Sequence, residues 1–98
     1  MIESIVRYYF KSAQNRIVRF ERAVQFSAVP PAGSQLTLKD DSLVVEHVEF
    51  CEDASAVLVV QRESVETDAE LDDQIEEMKG RGWSVASDYK KAPSADKT

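Results

Sequence analysis

Apolar and polar residues alternate through Ile17–Ala28 and again through Gln35–Lys39, the period expected of half-buried strands. Ile5–Lys11 (IVRYYFK) crowds β-branched and aromatic residues together, which favours extended backbone. Ile2, Ile5, Val6, Tyr9 and Ala13 also fall at helical spacing, but Tyr8-Tyr9-Phe10 is poor helix material, so a strand is expected. From Ile17 to Ala28, Val18, Phe20, Val24, Phe26 and Ala28 share one face, interrupted by Arg22. Ile17, Arg19, Glu21, Ala23, Gln25 and Ser27 share the other. An odd-length loop, Ser12–Arg16, brings the two apolar rows together as a hairpin and pairs Phe10 with Val18 and Tyr8 with Phe20. The same register sets Arg7 opposite Glu21, a favourable cross-strand pair, and Val6 opposite Arg22, whose guanidinium then needs an escape at a rim or bulge.

Pro30-Pro31-Ala32-Gly33 ends that strand, since neither proline can donate to a ladder. Leu36 and Leu38 alternate with Gln35, Thr37 and Lys39, and Asp40-Asp41-Ser42 carries turn chemistry. In Leu43–Phe50 the parity breaks: Leu43 and Val45 belong to one face, Val48 and Phe50 to the other. A bulge near Glu46-His47 would unite them, because one extra residue inverts the register. Glu52-Asp53-Ala54-Ser55 reads as a turn. Ala56–Val60 is apolar at every position, which predicts a central strand covered on both faces.

After the polar connection Glu63–Glu66, the period changes. Thr67-Asp68-Ala69-Glu70 fits a capping box, and Leu71, Ile75 and Met78 form a stripe at i, i+4, i+7. A helix over about 67–79 follows, with Lys79 in its last turn, Gly80 as its stop and the second face of the sheet as its expected seat. Trp83 and Val85 allow a short last strand, Trp83 being an anchor whose indole N–H needs a partner if buried. From Lys90 the sequence is tail-like. The expectation is an α+β domain spanning 1–89, with a disordered tail at 90–98. Five or six antiparallel strands would form a curved sheet or small open barrel under one C-terminal helix. This strand rhythm is similar to that of small SH3-like or Sm-like barrels, a likeness of fold that fixes no activity; an N-terminal helix before five strands would be the RNA-binding Sm-like pattern.

Composition adds limits. At 98 residues, 43% hydrophobic and 31% charged, the chain has room for one soluble core. The longest apolar run, Ala56–Val60, is far short of a membrane span, and the start Met-Ile-Glu-Ser does not read as a secretory leader. Together with the lone Cys51 this makes a cytoplasmic location the expectation. The net charge of −6 is uneven: residues 1–40 hold six Lys/Arg against three Asp/Glu, residues 41–79 two against thirteen, and residues 80–98 four against two. Either the fold has a basic and an acidic face, or the blocks interleave and neutralise one another. Interleaving is the expectation.

Candidate chemistry is sparse. His47, Glu49 and Cys51 share a parity, but on a strand His47 and Cys51 stand about 13 Å apart, too far to share an ion or a proton. Asp68, Glu70, Asp72 and Asp73 echo a calcium loop yet lack its sixth-position glycine and twelfth-position acid. Gly80-Arg81-Gly82 follows a helix C-terminus, where anions are disfavoured. No catalytic residue, metal or cofactor is therefore assigned. The remaining candidates are Arg7, Tyr9, Lys11 and Arg19, with Ile5 nearby, on the face away from the core. They read first as a solvated face; they suit a protein contact, and they also suit single-stranded RNA or DNA, with cations on phosphates and Tyr9 on a base. The acidic total counts against nucleic acid. The expected function is a small non-enzymatic interaction module that binds an unidentified protein or self-associates through an edge strand. Single-stranded nucleic-acid binding is the alternative.

Overall fold

The computed structural model describes residues 2–38, 41–53 and 55–90. The expected tail therefore lies outside the described residues, apart from Lys90. Seven strands and one helix follow in order: β1 (Ile2–Ser12), β2 (Arg16–Phe26), β3 (Gln35–Leu38), β4 (Asp41–Phe50), β5 (Ala56–Val60), β6 (Glu63–Val65), α1 (Asp68–Gly80) and β7 (Ser84–Lys90). They make one open sheet in the order β3-β4-β5-β1-β2-β7, with β6 also beside β1. The fold is α+β, mostly antiparallel and not closed into a barrel. No helix among the described residues is long and apolar enough to cross a membrane.

β1 is the axis of the sheet. Its hairpin with β2 has the register read from the sequence, including Tyr8 opposite Phe20, Arg7 opposite Glu21 and Val6 opposite Arg22. Asn15, at φ 68°, closes the turn, and its N–H donates to the Ser12 carbonyl at 3.1 Å. Asparagine tolerates this left-handed conformation better than most residues. On its other edge β1 pairs in parallel with β5 (Ser4–Arg7 beside Ala56–Val59) and then with β6 (Phe10–Ser12 beside Glu63–Val65). These two parallel pairings correct the all-antiparallel expectation. They also turn Glu63–Val65, expected to be a polar connection, into a strand.

Even-numbered residues of β1 face the core. Val6, Tyr8, Phe10, Val18, Phe20, Leu58 and Val60 pack with Leu71, Ile75 and Met78 of α1 and with Trp83. Tyr8 lies 4.8 Å from Phe10 and 5.7 Å from Trp83 between ring centroids, and Phe10 meets Phe20 edge-on at 5.3 Å. Every residue of β5 is buried, as expected, but α1 does not supply its second cover. The helix stripe joins the same core as Leu58. On the opposite face Val59 lies between Arg7 and His47, and Val57 between Ile5 and Glu49, so neighbouring side chains roof it instead.

Three irregularities line up across the sheet at the level of Tyr8 and Tyr9. In β4, Val45 pairs with Val60 but His47 with Val59, which leaves Glu46 as the extra residue of the expected bulge. Between β5 and β6, Arg7 opposes Val59 and Phe10 opposes Glu63, so four steps match three. In β7, Arg19 pairs with Ser87 and Phe20 with Val85, leaving Ala86 over. Each extra residue bends and twists its strand locally.

The helix is tied to the sheet at both ends. At its start the Glu70 N–H donates to the Thr67 hydroxyl at 3.1 Å, and that hydroxyl donates to the Glu70 carboxylate at 3.4 Å. The buried Ser12 hydroxyl donates to Asp68 at 2.6 Å, and Arg16 bonds both Asp72 and Asp88 at 2.7 Å. At its end the left-handed glycine is Gly82 (φ 95°), not Gly80, which still belongs to the helix. The N–H groups of Arg81 and Trp83 both return to the Met78 carbonyl. Trp83 donates its indole N–H to Asp41 at 3.0 Å, and Arg81 donates to the same carboxylate at 3.0 Å. Arg22 finds its exit here, donating to the Arg81 carbonyl at 3.1 Å over Gly82. Asp41 and Ser42, expected in a turn, lie inside β4, and Asp40 is outside the described residues.

Candidate functional site

The odd-numbered residues of β1 form the face away from the helix, where Arg7, Tyr9 and Lys11 line an open groove of about 400 Å³. Its other walls are Ile17 and Tyr89 on the β2–β7 side, His47 and Glu49 on β4, and Val59, Arg62, Glu63 and Ser64 at the junction of β5 and β6. Three of the four expected site residues are thus brought together. The fourth, Arg19, is the cross-strand partner of Tyr9 but does not line the groove.

Register explains the groove. Arg7 and Lys11 each have a partner on the parallel edge, Val59 and Ser64, whereas Tyr9 between them faces the bulge at Gln61-Arg62. Gln61 is drawn toward β4: its N–H donates to the Val44 carbonyl at 3.1 Å, and its side-chain oxygen accepts the Val44 N–H at 2.7 Å. Arg62, the next residue, is exposed in the groove. On the far side Lys11 opposes Ile17, and Ile17 opposes Tyr89, which is 55% exposed. Tyr9 and Tyr89 therefore contribute aromatic surface, and Ile17 and Val59 apolar surface.

The charges divide into engaged and free. Arg7 donates from Nε to Glu21 at 2.7 Å; burial works against its charge, but Glu21 holds its pKa above the ordinary guanidinium value. Arg19 turns to the same carboxylate, its Nε 3.3 Å away. Among the groove acids, Glu49 lies 3.2 Å from His47 Nε2, and Glu63 accepts the Tyr8 hydroxyl at 3.0 Å. Burial, then the Glu63 bond, raises the Tyr8 pKa well above the ordinary phenol value, so Tyr8 is a neutral donor. Lys11 and Arg62 are exposed and have no ion-pair partner among the described residues.

The sequence reading missed Arg62, Tyr89, Ile17 and Val59 as groove residues. Tyr89 lies at the end of the expected domain, beyond the short last strand read from Trp83 and Val85, and the parity of Arg62 is set by a bulge that no local pattern announces. His47 engages Glu49, while Cys51 is exposed beyond β4, its N–H donating to the Ser55 carbonyl. No group of three or more His, Cys, Asp or Glu able to hold a metal occurs among the described residues. The acids of the helix start, compared above with a calcium loop, serve partly as anchors: Asp68 binds Ser12 and Lys90, and Asp72 binds Arg16. The arrangement can offer stacking, apolar contact and positive charge to a ligand. No family model, curated protein or solved structure matches the chain.

Proposed function

We propose that this domain is a non-enzymatic interaction module whose outer sheet face receives a segment of a partner protein. The observation that carries the reading is the groove itself. Across the sheet, Val59 of β5, Tyr9 of β1, Ile17 of β2 and Tyr89 of β7 set aromatic beside apolar surface, with Lys11 and Arg62 among them. Tyrosine and arginine are enriched at protein contacts because they combine large rigid area with polar tips. Display of a random peptide library against the immobilised protein tests it. Peptides enriched on the native chain are expected to be lost on the Y9S/Y89S variant; equal enrichment on both, or none on the native chain, removes the reading.

A second reading, single-stranded nucleic acid, is favoured by Tyr9 standing next to the unpaired Lys11. The net charge of −6 opposes it. Absence of affinity for a fluorescent oligothymidylate at low salt would end it.

A further inference from the structure

Resting on that reading of the groove, we infer that the segment it receives is acidic, an extended peptide in which carboxylates alternate with aromatic or aliphatic side chains, and that Lys11 and Arg62 select it. The argument is a comparison of charges. The chain carries 18 Asp/Glu against 12 Lys/Arg, so a cation left without a carboxylate is against the odds. Arg7 and Arg19 have Glu21, Arg16 has Asp72 and Asp88, Lys79 has Glu76, Arg81 has Asp41 and Glu77, and Lys90 has Asp68. Arg22 is satisfied by the Arg81 carbonyl. Among the described residues, only Lys11 and Arg62 remain, and both line the same groove.

The groove's own acids do not cancel them. Glu49 is drawn to His47, and Glu63 turns to the Tyr8 hydroxyl on the core side. The two free cations enter from different elements. Lys11 comes from the end of β1, opposite Ile17, and Arg62 from the bulge that Gln61 pins to β4. Tyr9 faces the bulge that carries Arg62, and Lys11 follows two residues on along the same face of β1. A ligand alternating charged and apolar side chains, as an extended chain does, meets both kinds of surface at once. Carboxylates suit this pair better than a phosphate backbone: two cations answer a few charges, while a polyanion would also meet the repulsion of a chain at −6.

Three fluorescein-labelled octapeptides test the inference by anisotropy, each with phenylalanine alternating with glutamate, glutamine or lysine. The glutamate peptide is expected to bind about tenfold more tightly than the glutamine peptide, with the lysine peptide weakest. The K11Q/R62Q variant is expected to erase that preference, its fold verified by circular dichroism. K11R should keep it. Equal binding of the three peptides, or a preference that survives K11Q/R62Q, overturns the acidic assignment and leaves the groove reading standing. If no octapeptide binds while displayed peptides still depend on Tyr9 and Tyr89, the acidic assignment also falls. Loss of display enrichment as well would remove the groove reading. Binding of the oligothymidylate through Lys11 and Arg62, or a concentration-dependent dimer abolished by K11Q/R62Q, would assign the cations to a different occupant and overturn the inference.

Discussion

Single residues carry the joints of this molecule, and Ser12 is the clearest. The residue is 1% exposed, and its hydroxyl donates to Asp68 and accepts the N–H groups of Gln14 and Arg16, each at 3.2 Å. One oxygen thereby fixes the hairpin turn and the start of the helix. Ser12→Ala is expected to cost about 1–3 kcal/mol, because it takes the acceptor from two part-buried N–H groups and the donor from a carboxylate; urea denaturation measures it. The sequence revealed that Trp83 would need an indole partner, since a buried N–H has no alternative. It did not reveal that the partner would be Asp41, some forty positions earlier. Arg7 opposite Glu21 was legible because a hairpin register follows from loop length and parity. Arg16 was not. It looked like one loop residue among five, and its two acids, Asp72 and Asp88, arrive from α1 and β7.

At the level of elements, what could be read was whatever a local pattern enforces. The bulge in β4 was legible because Leu43 and Val45 disagree in parity with Val48 and Phe50. The helix was legible because its stripe and its cap agree. Thr67→Ala is expected to cost about 0.5–2 kcal/mol and to fray the first turn of α1, where Glu70 would lose its acceptor; thermal melts followed at the helix signal would register it. The parallel pairing of β1 with β5 and β6 was not legible. Alternation says which face a residue takes and is silent on which strand lies beside it. Glu63-Ser64-Val65 is short and polar, so nothing local marked it as β6. For the same reason three groove residues were named from the β1 pattern alone, while Arg62 came to light only with the junction it sits in.

At the level of the whole molecule, the uneven charge blocks fold into one another. Arg16 reaches Asp72 and Asp88, Arg81 reaches Asp41, and Lys90 reaches Asp68, so basic and acidic segments meet at the helix and at β7. Acid should therefore loosen the fold. The Arg16 bond holds the Asp88 pKa below the ordinary carboxylate value, and the Ser12 bond, then Lys90, does so for Asp68. Groups depressed in the folded state stabilise it above their unfolded pKa, near 3.8, and that contribution disappears as pH falls through the folded values. Chemical denaturation at several pH values should show stability falling below about pH 4, with a shallower decline in R16Q, where Asp88 loses its partner.

The position of β1 between an early neighbour and a late one has a consequence for assembly. The β1–β2 hairpin needs only the first 26 residues, so it can close as soon as they exist. The opposite margin of β1 waits for Ala56–Val65, which begins thirty residues past the end of the hairpin. Until those residues emerge from the ribosome, a nascent chain holds this hairpin with the β1 flank unzipped and sticky, and the β2 flank waits longer still, for β7. Closure of the β1 margin is thus timed by the arrival of β5 and β6, and the same segment that brings Arg62 to the groove also closes that vulnerable flank.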